Sequence, residues 1–251
     1  VKERPILFSG PMVRAILDGR KTMTRRVITQ FPVSGYRWGG WVCEPQKDRG
    51  KATIVPESNS KYCATGQIKA RCPYGQPGDR LWVRETWRIG AWCMDDGQIA
   101  VDYKASPEIT RTPWLSIPDD DDGEKFNRYW VQTCDELAKK DVTPDSDGNY
   151  HWEPGKAPLN WRPSIYMPRE DARIILEVVS VRVERVQDIS SRDAWNEGAT
   201  CSCTSPVPQC AGNIDAFRNI WDSINAKRGY GWDANPWVWV VEFRQIKEAR
   251  P

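Results

Sequence analysis

Within the seven residues Arg20-Lys21-Thr22-Met23-Thr24-Arg25-Arg26 stand four cations and two hydroxyls. Such a set can do two kinds of chemistry. The cations can hold a phosphate, an oxyanion or a carbonyl oxygen, and Arg26 suits that task. A threonine hydroxyl can attack an acyl carbon if a base takes its proton. Lysine serves as that base when desolvation or neighbouring cations lower its pKa. Arg20, Arg25 and Arg26 put the required positive charge beside Lys21. Lys21 and Thr24 are three apart, which unites them on a helical turn but separates them across a straight strand. A shared site therefore requires a bend. The same cluster also has a plain structural reading, because cations favour the C-termini of helices.

A carboxylate offers itself as the third member. Leu81-Trp82-Val83-Arg84-Glu85 alternates, so Leu81, Val83 and Glu85 share one face of a strand. A carboxylate beside two core residues must find a cation or a proton. Glu85 can orient Lys21, pass a proton, or form a structural ion pair with Lys21 or Arg26. The single histidine, His151, lies in a polar stretch, which leaves a Ser-His-Asp arrangement without support.

The elements that must position these groups can be read in outline. Ile6 to Ser9 is strand-like, and Gly10-Pro11 leads into a short helix from Pro11 to Leu17. Gly19 stops it. Val27-Ile28 resumes a strand, and Pro77 to Arg80 is a turn before the Glu85 strand. Further strands are expected at 98–103, at 174–186 (one long strand or two joined by a bend) and at 237–243. Helices are expected from the capping run Asp188–Ser191 to Gly198, and over 214–227. Strands surround few helices without a βαβ rhythm, which predicts an α+β protein with a mixed, mostly antiparallel sheet or barrel. From Gln30 to Arg71 the pattern dissolves, and 141–158 is a second polar, Pro-rich and Gly-rich region; both read as surface insertions in a single domain spanning 1–251. Asp119 to Asp122 marks an acidic loop ahead of the second.

The chain carries 36 basic and 34 acidic residues, a net charge of +2. That excludes a protein held to duplex DNA by phosphate contacts alone, so a nucleic-acid partner must meet a local patch. No apolar run approaches the ~18 residues of a membrane span. No leader is read at Val1-Lys2-Glu3-Arg4, and a cytoplasmic protein is expected. Its eight cysteines are then reduced or bound to metal. Cys201, Cys203 and Cys210 can give three thiolates to zinc, with a fourth from Cys134 or elsewhere. The spacing is not that of a zinc ribbon, and a loop of free thiols is the alternative. Cys43, Cys63 and Cys72 form a similar loose set. Of the 14 tryptophans, Trp82, Trp237 and Trp239 sit inside strands and read as core. Trp38 and Trp41, in a Gly-rich loop beside Arg37, read either as rings for stacking on bases or as anchors of that loop.

The run Gly19-Arg20-Lys21-Thr22-Met23-Thr24-Arg25-Arg26, after a strand and a helix, resembles the G-x-K-x-x-[ET]-x-R signature of ASCH domains, members of the PUA-like superfamily of RNA-associated β-barrels. Gly78 to Glu85 is similar to the family's second conserved strand. Trp232 to Val240 is similar to the ending of larger members from tailed phages and prophages. The likeness covers residues 5–29, 77–88 and 162–245, and it implies a PUA-like barrel with flanking helices and insertions at about 30–71 and 104–160. One branch of the family removes the acetyl group from N4-acetylcytidine. That resemblance implies Thr24 as nucleophile, Lys21 as its activator, Glu85 as the third catalytic group and Arg26 as the signature arginine; the residues expected to bind the substrate are Arg26, Ser9, Arg25, Trp38 and Trp41. No cofactor is then required. The chain is more than twice the length of those enzymes. The expected partner is a modified nucleoside or single-stranded nucleic acid, with a non-catalytic RNA, DNA or nucleotide-binding module as the alternative and a nuclease ranked behind both.

Overall fold

The computed structural model describes residues 1–42, 50–57, 66–106, 115–116, 124–204 and 206–246. It is a mixed α+β protein with several antiparallel pairings and few helices. The strands are β1 (Glu3–Leu7), β2 (Met23–Val27), β3 (Tyr36–Trp41), β4 (Ala52–Pro56), β5 (Ile68–Ala70), β6 (Arg80–Arg84), β7 (Trp87–Cys93), β8 (Gln98–Tyr103), β9 (Leu115–Ser116), β10 (Ile175–Arg185) and β11 (Trp237–Ile246). The helices are α1 (Gly10–Leu17), α2 (Glu124–Ala138), α3 (Ser191–Asn196) and α4 (Gly212–Asn225). One sheet has the order β1-β6-β10-β11-β2, a second β3-β4-β5 and a third β7-β8-β9. The described strands therefore form open sheets, where a closed barrel was expected. No described helix is long and apolar enough to cross a membrane.

The chain divides into two compact units. The first comprises Val1–Arg4, Ala15–Leu81 and Ile175–Pro251, and the second Pro5–Arg14 and Trp82–Ile174.

In the first unit β10 and β11 pair antiparallel along their whole length, with a bulge between Val178 and Ser180, so the expected long strand carries its bend there. β11 then pairs antiparallel with β2. α3 and α4 cover one face of this sheet. Asn213, Phe217, Trp221 and Asn225, each four apart on α4, are its buried stripe. Phe217 and Trp221 join Met23, Val238, Val240 and Ala194 in one apolar cluster. The Ser190 hydroxyl caps α3 by accepting from the Asp193 amide. Gly198 follows in the left-handed conformation, where a side chain would also crowd Ala15 and Lys21. Segment 30–71, read as irregular, holds the β3-β4-β5 sheet, with Ala52, Ile54 and Val55 buried. Its strands are short, and glycines break their alternation.

In the second unit β7 and β8 form a hairpin whose Trp87, Ile89, Ile99, Val101 and Tyr103 pack together. Leu137 of α2 joins that cluster, so part of the expected second insertion supplies core. The acidic run 119–122 lies outside the described residues.

Candidate functional site

The signature strand β2 has two faces, and the register states which residue belongs to which. Directly opposed residues in an antiparallel pair point to the same side of the sheet. Val181 faces Val241, which faces Thr24. Val183 faces Trp239, which faces Arg26. These six side chains share one face. Arg182, Val240 and Arg25 share the other, together with Glu184, Val238 and Val27.

The second face lies under α3 and α4 and is crossed by a charge network. The Arg25 side chain is fully buried and donates to Glu184 Oε2 at 3.0 Å and to Asp193 Oδ2 at 2.8 Å. Arg182 donates to Glu184, Asp193 and Glu242. Lys21 sits at the turn before β2, only 2% exposed. The turn is set by Gly19, whose φ of 70° lets the amides of Arg20 and Lys21 both donate to Ala15 O. Lys21 Nζ donates to Met23 O at 2.8 Å, Glu197 O at 2.8 Å and Glu197 Oε2 at 2.7 Å. Three acceptors match the three protons of an ammonium. Burial pulls the Lys21 pKa below the ordinary lysine value, and Glu197 opposes that shift.

The first face leads to a pocket. Trp41 is 42% exposed and stacks on Trp239 with ring centres 6.1 Å apart and planes 26° from parallel. Trp38 meets Trp41 edge-on at 5.8 Å. Trp41 and Val181 line a cavity of about 460 Å³ together with Lys2, Arg4, Arg71 and Asp79. Arg4 is held there by Asp79 at 2.9 Å. Burial alone would raise the Asp79 pKa, but the amides of Lys2 and Gln76 and the Arg4 guanidinium hold it below the ordinary value. The side chains of Lys2 and Arg71 have no ion pair among the described residues, and both are exposed. Cys72 also lines the cavity, and burial pushes its thiol up to about 11, so it stays protonated. Arg26 is partly buried, and that burial lowers its pKa against Tyr74 and Glu197.

The sequence-derived residues thus separate. Trp38, Trp41 and Arg26 gather on the pocket side. Thr24 shares that face but is only 3% exposed. Arg25, expected to bind substrate, is committed to carboxylates on the opposite face. Glu85 is 1% exposed and belongs to the second unit, where Arg173 grips both its oxygens at 2.8 and 3.0 Å. Burial raises the Glu85 pKa against that pairing. Lys21 takes its carboxylate from Glu197, 176 positions away in sequence. Ser9 is exposed, and its carbonyl accepts from the Val13 amide as α1 begins. Trp82, Trp237 and Trp239 are buried as expected. Glu197, Arg173, Asp79 and Arg71 were not singled out from the sequence. Only Asp79 had a local signal, in the turn Pro77-Gly78-Asp79, where an aspartate binds nearby amides.

The sulfurs of Cys201, Cys203 and Cys210 lie within 4.8 Å of one another, a group that can hold a metal ion. Cys134, on α2, is not part of it. Cys72 belongs to the pocket, while Cys43 and Cys63 lie outside the described residues. Compared with family models, with curated proteins and with solved structures, the chain matches none.

Proposed function

We propose that the chain is an ASCH-like, PUA-related protein that binds single-stranded nucleic acid or a nucleotide at the pocket of its first unit. The observation that carries this reading is the exposed ring of Trp41, backed by Trp239 and flanked by Arg71 and Lys2. A supported indole offers a stacking surface to any base. Cations beside it meet the phosphate that follows the base. The rest of the molecule has little net charge, so this local grouping supplies the attraction. Arg26 stands beside Trp239 on the same face of the sheet.

Hydrolysis of an N4-acylated cytidine by Lys-activated Thr24 is the second reading. It is favoured by the burial that lowers the Lys21 pKa. The geometry supports it less well than binding. A nucleophile must reach a substrate carbonyl, and Thr24 is covered. Lys21 is also engaged with three acceptors.

The test is fluorescence anisotropy of labelled single-stranded RNA and DNA at low salt, run on the wild type and on Trp41→Ala. Binding that weakens at least tenfold in the variant supports the pocket. A folded wild type that binds neither strand nor free nucleotides overturns it. In parallel, the wild type is incubated with N4-acetylcytidine. Cytidine release that is lost in Thr24→Val establishes the hydrolase instead.

A further inference from the structure

We infer that Cys201, Cys203 and Cys210 bind one zinc ion through three thiolates, and that this ion staples the loop leading into α4. Apart from the Asn213 side chain and a few backbone hydrogen bonds, the loop has little to hold it. Residues 202–204, 206, 207 and 209 are exposed, Val207 among them at 48%. A segment with so few buried contacts gains order from a metal that joins its ends.

The convergence of the sulfurs is built by the surrounding chain. Asn213 is fully buried in the first turn of α4. Its Oδ1 accepts from the Cys201 amide at 2.9 Å, and its Nδ2 donates to Val207 O at 2.9 Å and Pro208 O at 3.3 Å. One side chain thereby draws the start and the middle of the loop onto the helix. Gly212 completes the approach. A Cβ there would stand 2.9 Å from Cys201 Cβ and 3.8 Å from Cys210 Sγ, so any larger residue would push the cysteines apart.

The distances suit a tetrahedral ion. Zinc–sulfur bonds of ~2.3 Å put thiolates about 3.8 Å apart. Cys203 Sγ and Cys210 Sγ are 3.8 Å apart. Cys201 Sγ lies 2.6 Å from Cys203 Sγ and must swing away by about 1 Å, which rotation about its Cα–Cβ bond provides. Three soft sulfurs without a carboxylate in the group select zinc over calcium or magnesium. Among the described residues no fourth protein ligand joins the group. Binding converts three thiols to thiolates and releases three protons to solvent.

The experiment uses the full chain, reduced and stripped with chelator, and titrates it with cobalt(II) followed by zinc(II). One equivalent of cobalt is expected to give sulfur-to-metal charge-transfer and tetrahedral ligand-field bands, both erased by one equivalent of zinc. Cys203→Ser is expected to lose the bands, and Cys93→Ser, outside the group, to keep them. Limited alkylation followed by peptide mapping serves as the second measurement on the wild type itself. Zinc should protect Cys201, Cys203 and Cys210 together. Absence of the bands at one equivalent overturns the proposal. So do bands that survive replacement of all three cysteines by serine, and so does protection that falls on other cysteines.

Discussion

The two faces of the β10-β11-β2 sheet make opposite use of the same kinds of residue. Under α3 and α4, Arg25, Arg182 and Lys21 are matched to Glu184, Asp193, Glu242 and Glu197 in a network whose centre, at Arg25, Lys21 and Glu197, is buried. On the other face the cations Arg71 and Lys2 stand open beside an exposed tryptophan. A charge enclosed by fixed partners orients the chain but is not available to a ligand, because breaking its bonds leaves an uncompensated buried ion. A charge left in solvent gives the fold little and stays available. The chemically richest stretch of this sequence therefore works mainly as scaffold. The adjacent, sparser face is the one we propose receives a ligand.

The largest effect that would sharpen this contrast is at Lys21. Lys21→Met leaves the buried Glu197 with Arg25 Nη1 at 3.5 Å as its remaining cation, and is expected to cost about 3 kcal/mol in denaturant unfolding. The double variant Lys21→Met with Glu197→Gln should recover much of that loss. If the single variant costs nothing, Lys21 is not a structural group and its availability for chemistry returns.

Asp79→Asn comes next, at about 1–3 kcal/mol, since it weakens acceptance from two amides and from Arg4. Its pH signature can be stated with a sign. The folded pKa lies below the unfolded one, so the contribution of Asp79 is present above the unfolded value of about 3.9 and is lost as pH falls through the folded value. Acid unfolding of the Asn variant should be flatter in that window.

Trp41→Ala removes stacking worth about 1–3 kcal/mol per base, and it also removes the ring's pairs with Trp239 and Trp38, worth about 0.5–1.5 kcal/mol each to the fold, so binding is compared at a temperature where the variant is folded. A variant that binds as tightly as the wild type would move the ligand away from this pocket. Arg71→Ala is the smallest change. It should weaken binding of single strands severalfold and reduce the slope of log K against log salt by about 0.7, the contribution of one phosphate contact. An unchanged slope would separate Arg71 from the ligand.

Much of the local structure was legible. Gly19 after an amphipathic run gave the end of α1, and Ser190 with Gly198 gave the bounds of α3, because capping depends on a few adjacent residues. The alternation in β6 and the apolar run of β10 gave strands for the same reason. The strands β3 to β5 and helix α2 escaped notice, since their patterns are short or mostly polar and their burial comes from partners distant in sequence. The sequence alone determined that four cations and two hydroxyls cluster at the start of β2, that Trp38 and Trp41 stand in a glycine-rich stretch, and that three cysteines fall within ten residues. Tertiary structure alone decided which carboxylate each cation received. Glu197 took Lys21 and Arg173 took Glu85, pairings that span 176 and 88 positions. Ion pairing is set by distance in space and by exclusion of water, and neither is written in the spacing of residues along a chain.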